Sequence, residues 1–275
     1  MISPQKLLRS SPLALIGCAL CLAGPAHAQS ESAFPTAEMK DRDNQIIASF
    51  YYSDSKKGFD ADGNSVDIAD YHKRELYLLA EVKATEELTL ILAPSFRDVS
   101  ADGSDNDTTG LGYTEVGARY RVLDQDGWSL AFQGTVRIPG EERDDFVAQL
   151  VSTATEYDMR LRLIHGFAVG EDSGFFDVQA GYRLLDGALA NEFHLDLTAG
   201  YRPVPDILLL AQTFSTVSDG SSDISGGKYR YHNLQISAVK DLSESVSLQA
   251  GVTGTLAGEN ALRERGFFGG LWVRF

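Results

Sequence analysis

The chain has 275 residues, with 24 Lys or Arg against 39 Asp or Glu, and a formal net charge of −15. This acidic balance argues against nucleic acid as a partner, because phosphate recognition needs basic patches. After residue 28 no apolar run is long enough for a transmembrane helix, but a β-barrel crosses a membrane on shorter, alternating segments.

The first 28 residues have the pattern of a secretory signal peptide. Lys6 and Arg9 form a positive start, residues 12–24 are almost wholly apolar, and Ala26 and Ala28 suit a signal peptidase. We therefore predict export, with cleavage after residue 28.

Two alternatives concern the N-terminal region. Leu15–Cys18 resembles a lipobox, and cleavage there would leave Cys18 as a lipidated N-terminus. Cleavage after residue 28 instead removes both cysteines, Cys18 and Cys21, and leaves a chain without disulfides or thiol chemistry. The polar segment 29–43 is predicted to be a periplasmic tail, with a small plug inside the barrel as the alternative.

From residue 44 the apolar residues recur with a period of two. In residues 128–138, Trp128, Phe132 and Ile138 share one face, whereas Gln133 and Arg137 share the other. Side chains alternate between the faces of a strand, so this pattern predicts a strand with one apolar and one polar face. Twelve such strands are predicted: 44–54, 73–84, 87–98, 111–123, 127–138, 151–168, 174–185, 189–202, 206–217, 229–240, 245–256 and 264–275.

The predicted connections alternate in length. Short turns are expected near 86–87, 124–127, 171–174, 203–205 and 242–244, and mostly longer, polar loops at 55–72, 99–110, 139–150, 186–188, 218–228 and 257–263. Outer-membrane barrels have this asymmetry, with short periplasmic turns and longer outer loops. The fold prediction is therefore all-β: one 12-stranded antiparallel transmembrane β-barrel over residues 44–275. A soluble β-sandwich or closed barrel is the alternative.

The polar faces of the predicted strands carry charges of both signs, as expected for a confined aqueous lumen. Rings of charge can select ions, so the arginines are candidates for a basic track through the barrel. The alternative is that they pair with the acids and only fill the barrel. The predicted lumen and selectivity residues are Arg119, Arg121, Arg137, Glu156, Asp158, Arg160, Arg162, Asp177, Arg183 and His194. The same face is expected to carry Glu75, Glu81, Arg97, Glu115, Glu192 and Asp196.

Aromatic residues cluster near the predicted strand ends, where membrane-interface girdles form. The girdle is predicted to contain Tyr51, Tyr52, Tyr120, Trp128, Phe175, Phe176, Tyr201, Tyr229, Tyr231, Trp272 and Phe275.

The segment 267–275 resembles the β-signal of outer-membrane proteins, in which a glycine precedes alternating hydrophobic residues and a final aromatic. Gly270, Val273 and Phe275 occupy the matching positions. The resemblance implies recognition by the barrel-assembly machinery. An exposed apolar edge strand would otherwise invite aggregation.

The segment Gly110–Val122 is similar to a recurrent strand in one family of outer-membrane barrels, described as "Putative MetA-pathway of phenol degradation". That strand has a Gly-x-Gly-Asp start, a central Gly and a Lys/Arg-Tyr-Arg ending. Gly110, Gly112, Gly117 and residues 119–121 match it, whereas Tyr113 replaces the Asp. The resemblance implies an outer-membrane channel for small solutes, aromatic or hydrophobic ones among them.

The functional expectation is passive diffusion of small solutes across the cell outer membrane, with membrane lipids as surroundings, no cofactor, no metal site and no enzymatic activity. The alternatives are a sealed barrel with a structural role, or a lipid-modifying enzyme with a Ser/His pair on the lipid-facing wall. Its base would be one of His72, His165, His194 and His232. No Gly-x-Ser-x-Gly motif occurs, so no catalytic residue is assigned.

Overall fold

The computed structural model describes residues 44–102, 108–140, 154–170, 172–187, 190–220 and 228–275. The predicted signal peptide (1–28) and polar tail (29–43) lie outside these residues. No helix among them is long and apolar enough to cross a membrane.

In the described part of the chain the secondary structure is entirely β. The strands are β1 (Gln45–Phe59), β2 (Ser65–Lys83), β3 (Leu88–Ala101), β4 (Thr108–Gln125), β5 (Trp128–Ile138), β6 (Glu156–Val169), β7 (Asp172–Leu185), β8 (Glu192–Val204), β9 (Ile207–Ser218), β10 (Arg230–Asp241), β11 (Val246–Glu259), β12 (Ala261–Leu262) and β13 (Arg265–Arg274). Because β12 is a two-residue segment paired to the end of β1, twelve long strands build the wall.

The sheet closes on itself. Consecutive long strands pair antiparallel, and β1 pairs with both β2 and β13. The closing register runs from Gln45 opposite Arg274 to Asp54 opposite Arg265. The predicted 12-stranded antiparallel barrel is therefore confirmed. Its short-turn end also holds residues 44 and 275, joined by a 3.0 Å backbone hydrogen bond.

The two faces of each strand meet different surroundings. In β5 the outward Phe132 is 57% exposed, whereas the inward Gln133, Thr135 and Arg137 are buried. A wall that is apolar outside and polar inside is the reverse of a soluble protein and suits a lipid environment. The run Leu208–Leu210, whose orientation the sequence leaves ambiguous, follows the same rule, because only Leu209 points outward.

The first predicted loop, 55–72, is wrong. β1 and β2 continue through most of it as a paired hairpin that turns at residues 60–64. Lys57 and Asp67 pair across this hairpin at 2.8 Å. Such polar residues resemble a loop in sequence, yet cross-strand ion pairs support a strand. The predicted loop 257–263 is likewise shortened by β12, with Ala261 opposite Phe59.

The hairpin turn is closed by its own polar groups. The Asp60 carboxylate accepts hydrogen bonds from the backbone amides of Asp62 and Asn64, at 3.0 and 2.8 Å. These bonds, first that from Asn64, lower the pKa of the Asp60 carboxyl.

Candidate functional site: the barrel interior

Inward-facing ionic side chains line the long-loop half of β4 to β8. Strand register brings opposite charges together, since Arg183 lies opposite Asp158 on one side and Glu192 on the other. We call this group the charged wall: Glu115, Arg137, Glu156, Asp158, Arg160, Arg183, Glu192, His194 and Asp196.

Two arginines hold the centre of the charged wall. Arg183 places Nε 3.0 Å from Asp158 and Nη1 3.1 Å from Glu192. Arg160 places Nε 2.5 Å from Asp158 and Nη1 2.6 Å from Asp196. Each guanidinium thus bridges two carboxylates, and such charge-assisted bonds are the strong ones.

The long-loop edge of the charged wall is built around Arg137. Its guanidinium hydrogen-bonds Glu156, lies 3.6 Å from a Glu115 oxygen and stands 4.4 Å over the ring of Tyr113. The ring face is electron-rich, so this cation–π contact adds to the ionic ones.

On its β8 side, the charged wall ends in a chain of hydrogen bonds. His194 Nε2 lies 2.9 Å from Glu192, and its Nδ1 lies 3.3 Å from the Thr216 hydroxyl. Tyr229 donates its phenol proton to the second oxygen of Glu192 at 2.5 Å. The histidine is therefore part of a lumen network.

Two further ion pairs lie closer to the short-turn end. Arg162 Nη2 contacts Asp177 at 2.7 Å, and Arg119 Nη1 contacts Glu81 at 3.0 Å. Asp177 also interacts electrostatically with Glu81 and Arg119, which lie several strands away around the barrel.

Arg121 is separate from these groups. It is half-exposed at the short-turn rim, where it contacts Asp124 at 2.9 Å and the Glu86 carbonyl at 2.5 Å. The other nine predicted lumen residues lie inside the barrel, but each arginine among them faces a carboxylate. This pairing favours the alternative in which the charges pair, and a selecting role for the arginines stays a prediction.

An apolar cluster lies along one side of the barrel interior near the short-turn end, on β1 to β3, β7, β9, β10 and β13. Its members are buried and belong to one cluster of contacting side chains. We call it the apolar collar: Ile47, Leu79, Ile91, Phe175, Leu208, Leu210, Val239 and Trp272. Sequence reasoning missed it, because it treated the inward faces as polar throughout.

The predicted aromatic girdle is wrong for five residues that point into the barrel. Tyr51, Phe175, Tyr229, Tyr231 and Trp272 are buried. Neighbouring residues of a strand face opposite ways, so adjacent aromatics cannot all reach lipid. The alternation of exposed apolar residues along each strand could have separated the two sets.

Several buried polar atoms of the interior have no hydrogen-bond partner among the described residues: Ser53 Oγ, Gln133 Nε2, Thr135 Oγ1 and Gln212 Oε1. Burying a polar group without a partner is costly, so such atoms are normally satisfied by water or a ligand. Among the described residues, these atoms are therefore candidates to bind water or a ligand in the interior.

The outer wall carries a polar pair that sequence reasoning missed. Ser215 lies opposite His232 on β9 and β10, and Ser215 Oγ is 2.9 Å from His232 Nδ1. Both face outward, because the neighbours of Ser215, Phe214 and Thr216, are buried inside. The residues are 17 apart in sequence, so only strand register brings them together.

The predicted assembly residues lie on and beside β13. Gly270 lies opposite Ser49 of β1, and Val273 lies opposite Ile46. Phe275 is 53% exposed beside the short-turn rim. Their role as an assembly signal stays a prediction. Across the described residues, no group of three or more His, Cys, Asp or Glu could hold a metal ion.

Comparison with solved structures shows similar barrels. The crystal structure of the COG4313 outer membrane channel from Pseudomonas putida F1 is 19% identical, with a TM-score of 0.66 over 84% of this chain and 95% of that one. The NanC porin is 10% identical, with a TM-score of 0.53 over 84% of this chain and 100% of that one. The KdgM porin in complex with disordered oligogalacturonate is 12% identical, with a TM-score of 0.51 over 84% and 99%. At these identities the likeness concerns the fold. No curated protein matches the chain.

The sequence pattern of one protein family matches residues 46–275, which is the whole barrel. That match agrees with the resemblance in Gly110–Val122 and with the closed twelve-strand wall. The chain belongs to the family described as "Putative MetA-pathway of phenol degradation".

Proposed function

We propose that this protein is a channel of the cell outer membrane that lets small solutes diffuse passively. The observation that carries the proposal is the barrel interior, where buried polar atoms such as Gln133 Nε2 and Gln212 Oε1 have no partner among the described residues. Water or a passing solute would satisfy them. Among the similar folds are proteins whose names describe a channel and porins.

The solutes are small and include aromatic or hydrophobic ones. The family's name refers to phenol degradation. The interior adds physical support, because aromatic side chains also lie inside the barrel. Tyr51 and Phe268, for example, stack inside the barrel with their centroids 5.1 Å apart.

The test is single-channel conductance of the purified protein in a planar bilayer, together with swelling of liposomes that contain it. Discrete current steps and solute-dependent swelling are the expected results. Absence of both, with a protein that is folded and inserted, would overturn the channel and favour the sealed barrel.

A second candidate function, a lipid-modifying enzyme, is favoured by Ser215 and His232 alone. Ser215 Oγ would attack an ester carbonyl while His232 Nδ1 takes the hydroxyl proton. The bond to the alcohol then breaks, the alcohol leaves with that proton, and water releases the fatty acid from the serine. No orienting group for the histidine is found among the described contacts.

The enzyme candidate is tested with a fluorophosphonate probe and with fatty-acid release from phospholipid vesicles. Labelling and release that disappear in Ser215→Ala, but persist in Thr213→Ala on the same strand, would establish it. An unlabelled, folded protein would remove this candidate and leave the channel unaffected.

Assembly by the barrel-assembly machinery is proposed for the segment containing Gly270, Val273 and Phe275. The Phe275→Ala variant should reach the outer membrane in smaller amounts than Leu242→Ala, which alters an exposed apolar residue in a short turn. Equal amounts of the two variants would contradict this role.

A further inference from the structure

We infer that the apolar collar is the selectivity filter of this barrel: it holds back hydrated ions and solutes without a sizeable apolar group, and it passes solutes with a compact apolar body. The inference rests on the proposed channel function and names the part of the bore that chooses the solute.

The collar has a definite position along the bore. Its members lie near the short-turn ends of their strands, whereas the charged wall lies in the long-loop half of β4 to β8. Register places them side by side, with Ile47 opposite both Leu79 and Trp272, and Val239 opposite Leu208. A solute that enters from the long-loop end therefore meets charge first and the apolar collar afterwards.

Three collar members are almost wholly buried. Trp272, Leu79 and Leu208 are 0%, 1% and 2% exposed. The Trp272 indole is held by a 3.1 Å hydrogen bond from Nε1 to Gln249, whose amide in turn donates to Ser237 at 2.9 Å. The ring is thus anchored across three strands and cannot swing freely out of the bore.

The sector that the collar leaves open carries paired charges. Arg119 is matched by Glu81, and Arg162 by Asp177. Because these ions are neutralised in pairs, they offer a passing ion little to replace its lost water. At the height of the collar, one side of the bore is therefore apolar, and on the other side the charged groups are already paired with each other.

Physical chemistry then sets the choice of solute. An isolated ion loses solvation free energy on the order of tens of kcal/mol in the Born limit when it enters an apolar environment. Apolar constrictions can also block ions by excluding water from the pore. An apolar body instead gains about 25 cal/mol for each Å² removed from water. The collar therefore opposes ions and favours a ring or short alkyl group, while the free polar atoms above it can bind a hydroxyl or other polar head.

The test compares phenyl β-glucoside with methyl β-glucoside in liposome swelling, alongside KCl conductance. The two solutes share a sugar and differ in their apolar group. The variants are Leu208→Asn and Leu79→Asn, which keep the number and branching of the side-chain heavy atoms but add polarity. The matched control is Leu242→Asn, the same substitution at an exposed short-turn residue outside the collar. Heat-dependent gel migration verifies that each variant is folded.

In the native protein the phenyl glucoside should enter faster than the smaller methyl glucoside. Either collar variant should raise KCl conductance several-fold and abolish the preference, whereas Leu242→Asn should behave as the native protein does. Having two collar positions keeps the test valid if one of these variants fails to fold.

The outcomes separate the two proposals. Native passage without a phenyl preference, unchanged in folded collar variants, would overturn the filter and leave the channel standing. No passage of any solute or ion by the native protein or any folded variant would overturn the channel and the filter together.

Discussion

Arg183 shows how individual charges are accommodated inside this barrel. Its side chain is 9% exposed and contacts Asp158, Glu192 and Glu156, the last at 3.5 Å. Removing one partner of a buried ion pair leaves the other charge uncompensated, which costs more than the net value of the pair.

We expect Arg183→Ala to lower the free energy of unfolding by about 3 kcal/mol, because three carboxylates lose a shared partner. The control is Arg265→Ala. That side chain is 75% exposed beside Asp54, and an exposed pair contributes at most about 1 kcal/mol. Urea unfolding in lipid vesicles measures both variants, and equal losses would contradict the network.

At the scale of the strands, β8 depends on a close approach by β7. A Cβ built on Gly200 would lie 1.9 Å from the ring of Phe175, a collar residue. The glycine lets this ring lie over β8, in one cluster with Leu208 and Leu210 of β9. The strand therefore needs a residue without a side chain at that position.

The Gly200→Ala variant should be less stable by about 1–3 kcal/mol, the usual cost of overpacking. It should also displace Phe175 and raise ion conductance through the collar. Gly134→Ala is the matched control, because a Cβ there meets nothing within 4 Å. If thermal unfolding finds the two variants alike, the close packing of Phe175 is not what stabilises β8.

The hairpin of β1 and β2 is longer than its sequence indicates. Its polar residues look like a loop in the sequence, whereas β2 alone has 19 residues. A strand needs only about 9–11 residues to cross a membrane. The requirement to span the bilayer therefore does not predict that β1 and β2 continue beyond it. It is held by pairings such as Gly58 opposite Val66, which depend on register.

At the scale of the whole molecule, the barrel is defined by an apolar outer surface. Exposed apolar residues such as Phe132, Leu161 and Met159 face outward around the wall. In water this surface would cause aggregation. The outer surface is therefore suited to lipid as its surrounding solvent.

We expect Phe132→Arg to cost about 2–4 kcal/mol in bilayers, the range for a cation near the midplane of a barrel wall. The control, Leu242→Arg, replaces a residue that is 57% exposed in a short turn and should cost much less. Folding titrations into vesicles compare them. A similar cost for both would mean that Phe132 does not face the bilayer core.

The sequence by itself determined the class of fold, the number of long strands and the inward face of nine of the ten predicted lumen residues. This succeeded because a strand alternates its side chains strictly, so Glu156, Asp158, Arg160 and Arg162 had to share one face. The segment Gly110–Val122 also resembles a recurrent strand of the family, so a local sequence signature indicated the family.

Only the tertiary structure decided which residues meet. The pairing of Arg183 with Asp158 and Glu192, the contact of Ser215 with His232 and the packing of the apolar collar join residues from different strands. Period two gives the face but not the register or the position along the bore. Those depend on how all twelve strands close, which is a property of the whole barrel and of no single segment.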